Sequence, residues 1–366
     1  MKTLILFLAL LLSCAVSAKA AEELLKIATF DSGFGGYFTA KEIEKEGFAL
    51  AKEYPVTFNL AHYGDTQNAP YGEKTPEMIA QFAAKGISRA FADGAQEVYI
   101  ACNTASTQFQ AIKILLENQK PGLGARIISI IDSSVSELRA KIDQLPREQK
   151  MVRVGILATP ATVRTGVYPK ALAASYAVEL SRISSRTHTQ KRWFTQKGSS
   201  VESIATVDSM PLPGGKKLEI YQMGPGNWVE MIEHGAPGGV QNDAVQTDLK
   251  LLAPEVTFDV VGEFCTHFPV FDGLIKTAAR TQNKASPRTS YIRQGPLMAG
   301  IFKDRITQRF YGRRRNLPLT PQQENKLREA LRPVIYISGS NIKETKSLST
   351  AVFPDDPQPL VVKKDF

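Results

Sequence analysis

The chain has 366 residues, 43% of them hydrophobic, and its 45 Lys and Arg outnumber 36 Asp and Glu to give a formal net charge of +9. That length accommodates two domains, and no stretch beyond the first twenty residues is long and apolar enough to cross a bilayer. The basic excess is concentrated in Ser184–Gly198 and Lys303–Arg315. It suits an anionic envelope surface or plain solvation, and nucleic acid is not expected as a partner.

Met1–Ala20 reads as a secretory signal peptide: a basic residue, an apolar core and a small-residue A-K-A ending, with cleavage before Ala21. Cys14 after L-L-S offers a weaker lipoprotein reading. The expected location is therefore periplasmic or secreted. Cleavage removes Lys2 and Lys19, so the formal charge of +9 falls by two to +7. It also leaves Cys102 and Cys265 as the cysteines of a mature chain of about 345 residues. Oxidising compartments tend to pair thiols, so these two either form a disulfide or are kept apart by function.

Lys26–Phe30 is a first strand, running through D-S-G-F-G-G into a helical pattern over Phe38–Glu46. The glycines would let backbone N–H groups approach an anion, and Asp31 stands at a strand's C-terminal end, where open α/β sheets place ligands. A turn-capping Asp is the plainer reading. Val56–Thr66 is the next strand and its exit, followed by a loop with Ala-Pro-Tyr-Gly at 69–72, which would expose backbone donors and a phenol. A helix over Glu77–Ala92 leads to Val98–Thr107, where an apolar strand stops at Cys102. Asn103, Thr104 and Ser106 are N-cap types before a helix whose Phe109, Ile112, Leu115 and Leu116 share a face.

Ala125–Ile131 reads as a strand before a helix over Ser133–Leu145, and Val152–Ala158 as a strand before T-P-A-T-V-R-T-G-V-Y. From Ser184 to Gly226 the pattern degrades into basic, Ser-, Gly- and Pro-containing sequence, read as an insertion. Glu230, Glu233 and His234 end a short helix, a solvated face on local grounds. Val260–Pro269 repeats the strand-to-cysteine form at Cys265, with Thr266 able to cap and Pro269 suited to a first helical turn. A helix over Pro321–Arg332, a strand P-V-I-Y-I-S-G and a loosely held tail, Pro354–Phe366, complete the chain. Alternating strands and helices with ligands at strand ends predict two parallel-sheet α/β domains facing each other across a cleft. The first would comprise 21–122 and 285–366, and the second 123–284.

A thiol at a helix N-terminus has its pKa lowered, so Cys102 and Cys265 are two potential Brønsted bases. The competing readings are small core residues, a disulfide between them, and zinc, for which Cys265-Thr-His267 is too tight a spacing. No metal site is expected.

The chain resembles bacterial glutamate racemase, the cofactor-independent amino-acid racemase of the aspartate/glutamate racemase superfamily. The likeness is carried, in the family's order, by F-D-S-G-F-G-G (30–36), Y-G-D-T-Q-N-A-P-Y-G-E-K (63–74), A-C-N-T-A-S (101–106), G-I-L-A-T-P-A-T-V-R-T-G-V-Y (155–168), V-E-M-I-E-H-G (229–235) and F-C-T-H-F-P (264–269). The resemblance implies an isomerase with no cofactor, glutamate as the small-molecule partner, and an active site between the domains. It implies that Cys102 and Cys265 are the catalytic acid/bases on opposite faces of the substrate. Asp31 and His267 would tune or assist them, and Glu233 would help the second thiol. Ser32, Tyr71, Gly72, Asn103, Thr104 and Thr266 match positions that hold the substrate's amino and carboxylate groups. Related aspartate racemases carry Glu in place of His267, which tilts the substrate toward glutamate. A racemase of other or broader specificity, such as aspartate, and a non-catalytic periplasmic amino-acid-binding protein are the alternatives, and a homodimer stays open. The leader, the basic insertion, the long C-terminal region and Gly224-Pro225, where the family often has Cys-Pro, depart from a pattern whose usual task is D-glutamate supply for cell-wall peptidoglycan.

Overall fold

The computed structural model describes residues 22–191, 200–251, 256–357 and 359–366, so the leader expected at Met1–Ala20 lies outside the described residues. The chain begins with β1 (Glu23–Asp31), α1 (Gly36–Glu53), β2 (Val56–Gly64), α2 (Pro76–Ala92), β3 (Glu97–Ile100), α3 (Asn103–Ser106), α4 (Phe109–Gln119), β4 (Ile127–Ser129) and α5 (Ile130–Asp143). It continues with β5 (Met151–Ala158), α6 (Pro160–Thr165), α7 (Val167–Tyr176), β6 (Ser181–Lys191), β7 (Ser200–Leu212), β8 (Lys216–Gly224), α8 (Trp228–Glu233), α9 (Gly238–Leu251), β9 (Phe258–Phe264), α10 (Asp272–Thr281) and β10 (Ala285–Arg293). The last part is α11 (Gln294–Arg309), α12 (Pro321–Leu331), β11 (Val334–Ile337), α13 (Ile342–Val352) and β12 (Val361–Lys363).

These strands form two six-stranded sheets, ordered β12-β11-β2-β1-β3-β4 and β10-β9-β5-β8-β7-β6. The first is parallel throughout, and the second is parallel except for the β6–β7–β8 edge. Central strands covered by helices on both faces must be apolar on both, which is why β1 buries Leu25, Ile27, Ala28 and Phe30 and β3 buries Val98, Tyr99 and Ile100. Helix starts follow side-chain capping: Thr75 accepts from Met78 N–H before Pro76, and Thr320 forms a capping box with Gln323 before Pro321. One apolar cluster runs from Leu25 and Tyr99 through Leu138 and Phe302 to Val154 and Val260, joining the two sheets.

The two-domain parallel α/β architecture read from the sequence is observed, with differences in where its parts begin. β4 pairs with β3 (Val98↔Ile127) in the first sheet, and β10 pairs with β9 in the second. The chain therefore changes sheets after α5 and again after β10, later than the lines drawn at 122 and 284. An apolar tripeptide such as Ile127–Ser129 carries no mark of the sheet it will join. The region read as an insertion is ordered over its described part: β6 and β7 make an antiparallel hairpin, and β8 is an interior strand beside β5. The alternation of small polar residues in that hairpin gave little hydrophobic period. Its residues 192–199 lie outside the described residues. The tail is also pinned rather than loose, with β12 pairing with β11 and Phe366 buried against Tyr63.

The second basic cluster is largely neutralised within the fold. Lys303 pairs with Glu46, Arg305 with Glu97, Arg309 and Arg313 with Glu23, Arg314 with Glu53 and Arg315 with Glu22. The sequence spacing of these acids, in elements far along the chain, hid the pairing. Among the described residues no helix is long and apolar enough to cross a membrane.

Candidate active site

The C-terminal ends of β1, β3 and β9 converge on one cavity of about 540 Å³. Every residue singled out from the sequence lines it: Asp31, Ser32, Tyr71, Gly72, Cys102, Asn103, Thr104, Glu233, Cys265, Thr266 and His267. Both cysteines are free and buried, and no group of three or more metal-ligating side chains occurs among the described residues.

Cys102 leaves β3 as the N-cap of α3, its sulfur accepting from Ala105 N–H at 3.4 Å and lying 3.5 Å from Ser32 Oγ. The expected fall in its pKa does not occur. Burial, reinforced by the Asp31 carboxylate, pushes the thiol up to about 12, and a helix of four residues supplies too little dipole to oppose that. Cys265 leaves β9 into a short 3₁₀ turn, Phe268–Phe271, with α10 starting only at Asp272. Its Sγ lies 4.0 Å from Nδ1 of His267. In place of a helix N-terminus, this sulfur has an imidazole.

Asp31, His267 and Glu233 are joined in a hydrogen-bonded row across the cleft. Glu233 Oε1 accepts from His267 Nε2 at 2.9 Å, His267 Nδ1 is 3.4 Å from Thr266 Oγ1, and Thr266 Oγ1 donates to Asp31 Oδ2 at 3.1 Å. Burial opposes charge on His267, but its hydrogen bonds with Cys265 and Glu233 win and hold the ring well above its ordinary pKa. Burial also works against Glu233, yet His267 keeps it below the ordinary carboxylate value. Asp31 is raised to about 6 because burial outweighs His267 and the Gly33 and Thr266 hydrogen bonds.

The glycine-rich turn serves this contact. Gly33 N–H donates to Asp31 Oδ1 at 2.9 Å. A Cβ on Gly33 would stand 2.6 Å from Glu233 Oε1, and one on Gly35 would collide with Thr266 and His267.

Two of these side chains also have partners within the protein. The Tyr71 phenol is buried and donates to Asp65 at 2.8 Å, so it fastens its own loop. Asn103 turns its side-chain oxygen toward Tyr168 OH and Gln294 Nε2, and its amide nitrogen toward Gln294 Oε1 at 2.6 Å. It buttresses α3 from behind.

Four participants were missed. Thr159 caps α6 and meets Thr104 across the cleft at 2.9 Å, a role the T-P helix start could have suggested. Asp65 accepts from Asn68, Tyr71 and Ser338 and holds the 65–73 loop; it follows Gly64, which pairs with Asp31. Arg164 lines the cavity. His62 is wholly buried beneath the Asp31 turn, between Thr29 Oγ1 at 2.9 Å and the Gly33 carbonyl at 3.0 Å. A histidine in register with Val56, Phe58 and Leu60 on the buried face of its strand was the signal. Gly224, the departure from Cys-Pro, is fixed by packing, since a Cβ there would lie 2.6 Å from Pro160 Cα.

No protein-family profile matches the chain. The chain is 29% identical over 158 residues to a glutamate racemase of Aquifex aeolicus, covering 43% of this chain and 54% of that protein. It is 33% identical over 144 residues to one of Persephonella marina, covering 39% and 48%. The chain thus spans about half the length of the curated relatives it matches. Solved structures extend the likeness at the level of fold. A Bacillus anthracis glutamate racemase superimposes with TM-score 0.61 at 18% identity, over 95% of this chain and 98% of that one. A Francisella tularensis glutamate racemase in complex with D-glutamate gives 0.60 at 18%, over 93% and 97%. The resemblance read from the motifs is borne out, and the fold is that of the glutamate racemases.

The buried groups beneath the site carry a pH signature. Burial lowers His62 from 6.5 to about 4, so as pH falls through that window the unfolded chain takes up a proton that the fold refuses, and stability is lost. Asp31, raised from 3.8 to about 6, acts in the opposite sense, with stability lost as pH rises through its window. Comparison with His62→Gln isolates the first effect. The stability advantage of the unsubstituted protein over the variant should shrink by about 2 kcal/mol between pH 7 and pH 5 in urea unfolding. An advantage that stays constant would show that His62 is not held neutral.

Proposed function

We propose that this chain, which shares the glutamate racemase fold, is a cofactor-independent racemase that interconverts L- and D-glutamate by two-thiol proton transfer at Cα, acting outside the cytoplasm. The observation that carries the reading is that two buried free cysteines, on strand ends of different sheets, line one cavity and each have a separate acid–base neighbour.

Racemisation takes a proton from Cα on one face and returns one on the other. The Cα–H electron pair passes into the carboxylate and back, with no net change in oxidation. Such a site needs one sulfur as thiolate and the other as thiol. Cys102, with its pKa raised to about 12, is the thiol at neutral pH, and Asp31 is the neighbouring group able to share its proton. The His267 imidazolium, anchored by Glu233, is the counter-ion that a Cys265 thiolate needs. Backbone N–H groups at the start of α3, with Ser32, Thr104 and Thr266, are suited to hold the substrate's amino and carboxylate groups. There they stabilise charge as it builds toward an enediolate. The role of Asn103 is to fix α3, and Tyr71 and Gly72 shape the opposite wall.

Action outside the cytoplasm rests on the leader and fits D-amino-acid production or salvage there better than precursor synthesis. Protein recovered from the periplasm should begin at Ala21 by mass spectrometry; a cytoplasmic chain retaining Met1 would contradict this. Cys102→Ser and Cys265→Ser should each lower racemisation of L- and D-glutamate, followed by circular dichroism under reducing conditions, by about a thousandfold. Asp31→Asn should lower kcat far more than it raises KM. Full turnover by either serine variant would refute the two-thiol reading.

A further inference from the structure

Five carboxylate residues line the cavity, Asp31, Glu73, Glu202, Glu230 and Glu233, and among the described residues a single Lys or Arg, Arg164. A dicarboxylic amino acid entering such a lining brings two more negative charges. The groups at the strand ends attend to its Cα substituents. Its distal carboxylate would face several acids with one permanent cation to meet it.

Arg164 is built for that exchange. It lies on α6, whose first turn is capped by Thr159 at the floor of the cleft, and it reaches over to the opposite half. Its Nη2 donates to the Gly72 carbonyl at 3.2 Å, and its Nη1 stands 3.8 Å from Oε2 of Glu202 on β7. These two contacts employ only part of a guanidinium with five N–H donors. The Glu202 contact is long for a charge-assisted hydrogen bond, and the two side chains are 46% and 55% exposed, so solvent screens it. Glu202 therefore holds the guanidinium over the cavity without saturating it, and a carboxylate approaching in the fork geometry can replace it.

We propose that Arg164 is the residue that selects for a side-chain carboxylate, releasing Glu202 to receive the distal carboxylate of the amino acid. This rests on the racemase reading and adds the group that would distinguish glutamate from neutral amino acids. Nothing in the sequence pattern marked it, because an arginine in the first turns after a strand is ordinary surface.

The test compares the full chain with Arg164→Gln and Arg164→Lys, using L-glutamate and L-glutamine as probes. In Arg164→Gln the KM for glutamate should rise about tenfold or more, with kcat changed by less than about threefold, the pattern expected when uniform binding is lost. Arg164→Lys should fall between, and any α-proton exchange of glutamine should be unaffected. An unchanged KM for glutamate overturns the inference. So does an equal loss for both amino acids, which would make Arg164 a brace for the Gly72 turn. If the unsubstituted protein fails to racemise glutamate, the parent reading falls on its own, and calorimetric titration with L-glutamate decides for Arg164. Binding weakened about tenfold in Arg164→Gln supports it, and equal or absent binding in both proteins overturns it.

Discussion

The row of hydrogen bonds from Asp31 through Thr266 and His267 to Glu233 joins the exit of β1 in one sheet to the exit of β9 in the other. It forms only because the turn after β1 has no side chains at Gly33 and Gly35, where Glu233, Thr266 and His267 press against the backbone. The same contact sets the spacing of the cavity. Cys102 is tied to the β1 turn through Ser32, and Cys265 to the row through His267, so the positions of both sulfurs follow from it. Buried charges in such a row are costly unless each has a partner, and here each has one: Glu233 has His267, and Asp31 has Gly33 N–H and Thr266.

The row also makes the two halves unlike. On one side, burial and a neighbouring carboxylate keep the Cys102 proton in place. On the other, a carboxylate-anchored imidazolium faces Cys265. His62, under the Gly33 carbonyl, stays neutral because burial and the nearby His267 both disfavour a second cation. A symmetric pair of helix N-termini would have treated both sulfurs alike. The fold thus gives the two sulfurs unlike surroundings, which is the asymmetry the proposed two-thiol reaction would use.

Much of this was legible in the sequence, and the failures have physical causes. Apolar strands ending on Cys102 and Cys265, with Asp31 after β1, located the cavity, because parallel α/β sheets gather strand ends on one side. The resemblance in the six motifs supplied His267 and Glu233. What remained hidden depended on groups distant in the chain. Tyr71 was turned inward by Asp65 and Asn103 backward by Gln294, and neither direction is encoded locally. The thiol pKa of Cys102 was misjudged because helix position was weighed without burial, which sequence does not quantify. β6 and β7 lacked a clear apolar alternation, and the acids that neutralise Lys303–Arg315 are contributed by Glu22, β1, α1 and β3.

The central claim is that two groups, one on each face of Cα, handle the proton. Incubation of L-glutamate with the reduced protein in deuterium oxide, with both enantiomers separated and examined by mass spectrometry at early times, tests it most directly. The D-glutamate formed should carry one deuterium at Cα, while the remaining L-glutamate should stay unlabelled. Deuterium entering the recovered L-glutamate as fast as D-glutamate appears would mean a single base serving both faces, and no deuterium in either would mean that no α-proton is moved.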